Sequence, residues 1–290
     1  MNPRSQWQGW LLVAPAVLLL IAFTHYPAVA TLWHSFFSNA TADRPSAFVG
    51  AANYQGMVED PVFWASLRNN IWFALVTVPA SIALAIVMAL FVNARLPGKA
   101  FLRLAYFTPT VLPMIAVANI WLFFYTPQYG LIAQLLSPLG VAPPNWLGDK
   151  STALGAMIVV AIWKEAGFFM IFYLAALQQI SPSLGEAAAL EGASRSQYFW
   201  RVLFPLLMPT TIFVLVNALI NAVRMVDHII VMTKGGPDNA SSLLLYHIYQ
   251  VGFSFWDPAY AAALTVVVLV ILATIALVKF SYLDKRAHYQ

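Results

Sequence analysis

The stretch EAAALEGASRSQYFWRVLFPLLMP, Glu186 to Pro209, sets acidic and basic side chains between two long apolar runs. Its spacing marks two helix starts. Ser183 followed three residues later by Glu186, and Ser194 followed three later by Gln197, each have the register of a capping box, in which two side chains satisfy free backbone N–H groups. LGEAAALE supplies good helix formers, and Gly192 is a natural left-handed stop between the two helices. Pro205 is expected to end the second helix and open the apolar run that follows. The segment therefore predicts a short helix, a glycine turn and a second helix.

The surrounding chain is of a different kind. Of its 290 residues 61% are hydrophobic and 9% charged, whereas a soluble domain carries about 25% charged residues. That composition belongs to a membrane protein. A spanning helix needs roughly 20 mostly apolar residues, and six such runs are present, near 10–31, 70–93, 104–126, 153–177, 205–225 and 259–281. The fold class expected is all-α, a polytopic membrane protein with six transmembrane helices. Ala28 to Ala30 resembles a signal-peptidase site, but the first run exceeds the roughly 7–15 residues of a signal core and is read as a retained span.

The formal charge of +4 does not point to nucleic acid, because the basic residues are scattered singly. It reads better as topology. With a cytoplasmic amino terminus, the inside segments hold Arg4, Arg95, Lys99, Arg103, Arg195, Arg201, Lys279, Lys285 and Arg286. The outside segments hold Arg44, Arg68, Lys150, Arg224 and Lys234. Nine against five places both termini, and the Glu186 segment, in the cytoplasm. Outside, VGAANYQGMVEDPVFWASLRN reads as short helices on the membrane surface, with Asp60 before Pro61 as a helix start. TKGGPDNASS is a turn cluster, and the aromatics that follow it read as interfacial anchors.

Catalytic and metal patterns are missing from the sequence. There is no cysteine, no pair of histidines at metal-ligand spacing and no phosphate loop, and Gly192-Ala193-Ser194 has no base in sequence reach. Within the spans, Lys164 and Glu165 are adjacent charges near a helix centre, where each is costly unless sheltered. They point about 100° apart, so at least one must meet another helix, a partner or a solvated cavity. A structural pairing and a solute contact both fit. Asn119, Trp121, Trp163, Asn217, Asn221 and Arg224 are polar or stacking groups for a solute, or ordinary interhelical residues. Arg224 and Asp227 are expected to form a local ion pair. An ion-coupled secondary carrier is the alternative class, although Glu165 is nearly alone as an intramembrane carboxylate.

The Glu186 segment resembles the EAA loop of permease subunits of bacterial ATP-binding-cassette importers. The family pattern is Glu-Ala-Ala, three residues, Gly, nine residues and Ile-x-Leu-Pro. Glu186, Ala187, Ala188, Gly192 and Pro205 occupy it at that spacing, with Val202 and Phe204 in place of Ile and Leu and Glu191 where many members carry Asp. The blocks beginning at Leu11, Val49, Leu174 and Thr233 extend the likeness to the carbohydrate-uptake branch, near permeases for maltose, other oligosaccharides and glycerol-3-phosphate. The resemblance implies a type I importer permease fold: residues 1–64 as first span and first outer loop, 65–282 as the permease domain with its cytoplasmic loop at about 179–204, and 283–290 as a tail. It implies Glu186, Ala187, Ala188, Glu191, Gly192, Ala193 and Pro205 as ATPase-coupling residues, and leaves Lys164, Glu165, Asn217, Asn221 and Arg224 as pathway or interhelical candidates. It further implies a second homologous permease, two cytoplasmic ATPases that bind ATP and Mg²⁺, an external solute-binding protein, and the bacterial inner membrane. This chain would bind no cofactor and catalyse no reaction itself.

Overall fold

Apolar composition and good helix formers produce an almost entirely helical chain in the computed structural model, which describes residues 3–40, 43–94 and 98–283. The helices are α1 (Pro3–Leu20), α2 (Tyr26–His34), α3 (Ala52–Glu59), α4 (Pro61–Asn93), α5 (Lys99–Val111), α6 (Met114–Tyr125) and α7 (Leu131–Leu136). They continue as α8 (Ala153–Gln179), α9 (Pro182–Leu190), α10 (Arg195–Tyr198), α11 (Phe204–Arg224), α12 (Asp227–Met232), α13 (Leu244–Tyr249) and α14 (Pro258–Leu283). Among the described residues, five helical runs are long and apolar enough to cross a membrane, and counting the bent pair α5–α6 as one span gives six. Arg95, Lys285, Arg286 and the tail beyond Leu283 lie outside the described residues.

Three elements depart from the expected layout. The third span is not straight: α5 and α6 meet at a bend of 104°. Leu112 and Pro113 are extended there, at ψ 137° and 142°, because Pro113 has no N–H to continue the helical ladder and disfavours helical backbone in the residue before it. The stretch after Asp60, expected as a separate surface helix, forms the first turns of α4. Asp60 does start it, its carboxylate accepting the Val62 N–H at 2.8 Å. The second helix of the Glu186 segment does not stop at Pro205; α10 runs through a π turn, Phe199–Leu203, directly into α11.

The chain divides into two compact units, one of residues up to 63 with 248–270 and one of 64–247 with 271 onward. In the first, Asn53 donates to the carbonyls of Ser35 and Phe37 at 2.8 and 2.9 Å, and the Ser35 and Tyr54 hydroxyls are 2.7 Å apart. These bonds hold α3 to the end of α2. Asp257 caps the α14 start, accepting the Tyr260 N–H at 2.9 Å and the Asn39 amide, while the Tyr260 hydroxyl donates to Asp60 at 2.8 Å.

The second unit is packed around α8, with Met157, Phe169, Met170 and Tyr173 buried against residues such as Phe73, Leu207 and Ile229. Gly167 permits a close helix approach: a Cβ there would lie 2.1 Å from the Tyr106 carbonyl oxygen of α5. The TKGGPDNASS turn is held from α4, where Asn69 donates to the carbonyls of Asn239 and Ser242 at 2.8 and 3.0 Å. Lys234, Gly235, Asp238 and Asn239 all have positive φ in that turn.

Candidate functional site

In the Glu186 segment, local backbone chemistry closes each helix end. Ser181 is the N-cap of α9 with Pro182 at its first position, where a missing N–H costs nothing. Ser183 therefore sits inside the helix, its hydroxyl 2.8 Å from that of Ser181, and the expected Ser183–Glu186 box does not form. Glu186 lies a full turn in, beyond the reach of the cap. At the other end, the Gly192 N–H donates to Ala189 at 3.1 Å and the Ala193 N–H to Ala188 at 2.9 Å. With Gly192 at φ +75° this is a Schellman stop, as its sequence position predicts.

Two residues later the chain restarts. Ser194 accepts the Gln197 N–H at 3.2 Å while the Gln197 side chain accepts the Ser194 N–H at 2.7 Å, so the second capping box is complete. Pro205 follows the π turn, in which the Phe204 N–H reaches back to Phe199. The wider turn relieves the clash of a proline ring with the preceding turn and takes up the ladder bond that Pro205 cannot make. Tyr198 bridges the two helices, its hydroxyl 3.6 Å from where a Gly185 Cβ would stand.

The segment presents an uncovered face. Glu186, Ala187 and Glu191 are exposed, Ala188 and Ala193 half-buried. Leu190 is 91% exposed and Leu184 41%. Sequence reasoning missed these two leucines and Tyr198, although an apolar residue beside a glycine stop in an otherwise polar turn was a readable signal.

The pathway candidates separate into distinct environments. Lys164 and Glu165 do not pair with each other. Lys164 Nζ donates to the carbonyls of Leu112, Pro109 and Thr110 at 2.7, 3.1 and 3.4 Å. Glu165 Oε2 accepts from the Asn221 amide of α11 at 2.8 Å. Asn217 and Asn119 each donate to a carbonyl one turn back in their own helices, at 2.7 and 2.8 Å. The expected Arg224–Asp227 ion pair is absent. Arg224 ends α11, Met225 is extended at ψ 120°, and Asp227 starts α12, so the i to i+3 register of one helix is lost. Both side chains are exposed. Among the described residues, an ion pair joins Lys150 and Asp238. A groove of about 480 Å³ runs along α8 and α11, lined by Phe172, Gln179, Thr210 and Phe213 among others.

This arrangement defines a multi-span helical membrane protein whose polar site is a capped helical loop. The sequence pattern of the family described as binding-protein-dependent transport system inner membrane component matches residues 81–288, and the chain belongs to that family. It is 33% identical over 281 residues to the sn-glycerol-3-phosphate transport system permease protein UgpA of Agrobacterium fabrum, covering 97% of this chain and 96% of that protein. It is 33% identical to the sulfoquinovosyl glycerol transport system permease protein SmoG of the same organism, over 90% of this chain and 89% of that one. The trehalose/maltose transport system permease protein MalF of Thermococcus litoralis is 34% identical over 95% of this chain and 93% of its own length. A chain in the crystal structure of a bacterial ABC transporter importing the polysaccharide alginate has the same fold, with a TM-score of 0.86 at 22% identity over 99% of this chain and 98% of that one. The resemblance read from the loop is borne out at the level of the family.

Proposed function

We propose that the chain is one of two permease subunits of an ATP-binding-cassette importer and forms half of its alternating-access path. The observation that carries this reading is the doubly capped loop with Glu186, Ala187, Leu190 and Glu191 exposed on one surface. Caps and a left-handed glycine hold that surface rigidly, and an exposed leucine among small alanines suits insertion into a complementary cleft. Two cytoplasmic ATPases bind ATP and Mg²⁺. Their closure moves the loop, and the π turn passes the movement into α11 without a break in the helical run. An external solute-binding protein delivers the solute at the opposite face. Reaction chemistry stays with the ATPases.

The solute class is a sugar, oligosaccharide, polyol or glycerol-3-phosphate. The relatives named for glycerol-3-phosphate, sulfoquinovosyl glycerol and trehalose/maltose support that range. Both termini and the loop lie on the cytoplasmic side of the inner membrane, as the distribution of basic residues indicates. Reconstitution tests the whole reading. Uptake into vesicles should require the partner permease, the ATPases and the external binding protein, and should stop when ATP hydrolysis is blocked. Uptake by this chain alone on an ion gradient would establish the secondary-carrier alternative instead. Ligand binding by the cognate external protein identifies the solute.

A further inference from the structure

The break in the third span leaves backbone carbonyls without helical partners. The Pro109 carbonyl faces position 113, where an N–H would close the next α-turn, and proline has none. The carbonyls of Thr110 and Leu112 lose their continuing helix because the chain turns by 104°. In a membrane interior each such group is costly to leave unpaired. Lys164 answers this directly: an ammonium has three N–H donors, and the three carbonyls lie at 2.7, 3.1 and 3.4 Å from its nitrogen. All three protons are then committed to the backbone. Two further features fit the arrangement. The α5 backbone can come this close because Gly167, one turn along α8, has no side chain to meet the Tyr106 carbonyl. The Thr110 hydroxyl also donates to the Lys164 carbonyl, at 3.4 Å.

Glu165, on the adjoining face of α8, accepts from Asn221 of α11. From these contacts we infer that Lys164 and Glu165 form a clasp, fixing the elbow of the third span and the middle of α11 to α8 so that the three elements move as one body. Lys164 is a positioning residue, and its three-carbonyl grip leaves no proton for a solute. Glu165 acts as a hydrogen-bond acceptor and does not need its charge. The clasp is independent of the solute and of the energy source; only its use in transport rests on the permease reading.

The chain has no cysteine, so once the other subunits are made cysteine-free, nitroxide labels at Leu104→Cys in α5 and Ile120→Cys in α6 report the elbow. Measured on the full chain in its membrane assembly, the label distance should be narrow in the parent and in Lys164→Arg, which keeps several donors. It should broaden in Lys164→Gln, with two donors for three carbonyls, and further in Lys164→Met. Uptake by Lys164→Met should fall roughly tenfold at equal membrane abundance, the scale of one or two lost charge-assisted hydrogen bonds. Should Lys164→Met fail to accumulate, the Arg and Gln variants still order the series. Glu165→Gln, whose amide oxygen still accepts from Asn221, should transport within about twofold of the parent, and Glu165→Leu should not. A narrow, unchanged distance in Lys164→Gln and Lys164→Met overturns the elbow half of the inference. Loss of uptake in Glu165→Gln overturns the acceptor half and assigns the carboxylate a charge or proton role. If the parent itself shows no ATP-driven uptake, the permease reading fails while the distance measurement still judges the clasp.

Discussion

At Gly192 the backbone turns left-handed, φ +75°, with no atom within 4 Å of where a Cβ would stand. A side chain there meets no neighbour, so its cost is one of backbone alone, about 1–2 kcal/mol for a bulky L-residue and less for asparagine. Gly192→Val should therefore reach the membrane in normal amount yet lose ATPase co-purification and uptake, while Gly192→Asn keeps both. Solute affinity of the external binding protein should be unchanged in each. Normal uptake by Gly192→Val would mean that the angle between α9 and α10 carries no coupling. Glu186 makes a separate case. Its side chain has no hydrogen bond or ion pair among the described residues, so Glu186→Ala should shift unfolding by less than about 0.5 kcal/mol. Any loss of ATPase retention in that variant then reports a contact between subunits. Its capping role seemed legible from the Ser-x-x-Glu spacing, but Pro182 decides the register: proline is favoured at the first helical position and pushes the residue before it to extended backbone, which makes Ser181 the cap.

Proline also governs the longer elements, at two places with opposite results. At Pro113 the helix breaks; at Pro205 a π turn over Phe199–Leu203 lets it continue. Replacing Pro205 with alanine restores the N–H and removes the ring, so the wide turn should revert to α-helix. Losing one residue from a turn rotates everything before it by about 100° around α11. Pro205→Ala should accordingly insert normally, change label distances between α9 and α11, and lower uptake several-fold; unchanged distances would show that the π turn has another cause. The ion pair between loops offers a gentler test. Lys150 holds the Asp238 carboxyl below its ordinary value by hydrogen bonding and charge. A depressed folded-state value means that the pair's stabilisation is present above the ordinary carboxylate range and is lost as pH falls through the lowered one. Both side chains are exposed, so the effect should be small and screened by salt. Asp238→Asn should flatten the acid limb of a thermal-stability profile at low salt and leave neutral pH at high salt unaffected. The spans and Gly192 were legible because apolar length and left-handed backbone are local properties. The elbow was not, since Pro113 can be tolerated inside a span when something else satisfies the freed carbonyls. That something is Lys164, far along the chain, and only the packing of α8 on α5 brings it there.

Across the whole molecule, apolar side chains are distributed as a lipid- or partner-facing protein requires. Trp10, Leu12, Tyr26 and Trp33 stand exposed along α1 and α2, and Phe23 is exposed in the turn between them. Such a surface has no meaning in water and makes sense only against lipid or neighbouring subunits. In the proposed orientation, the basic residues set which side faces the cytoplasm. Lys99 and Arg103 lie in the first turns of α5, Arg195 and Arg201 lie in the second half of the loop, and Lys279 falls in the last turns of α14, whereas Lys150 and Lys234 occupy loops at the other ends of their spans. Placing the first group outside would carry more Lys and Arg across the membrane than the reverse. A phosphatase reporter active only outside should therefore be silent after Gln290 or at Gly192 and active at Asp43 or Asn239. A cytoplasm-active reporter should give the opposite pattern. The Asn239 fusion decides most, because that residue lies in the turn held by Asn69 and paired through Asp238 to Lys150. Cytoplasmic signal at Asn239 would turn the chain over, expose the Glu186 loop to the outside and remove the ATPase as its partner.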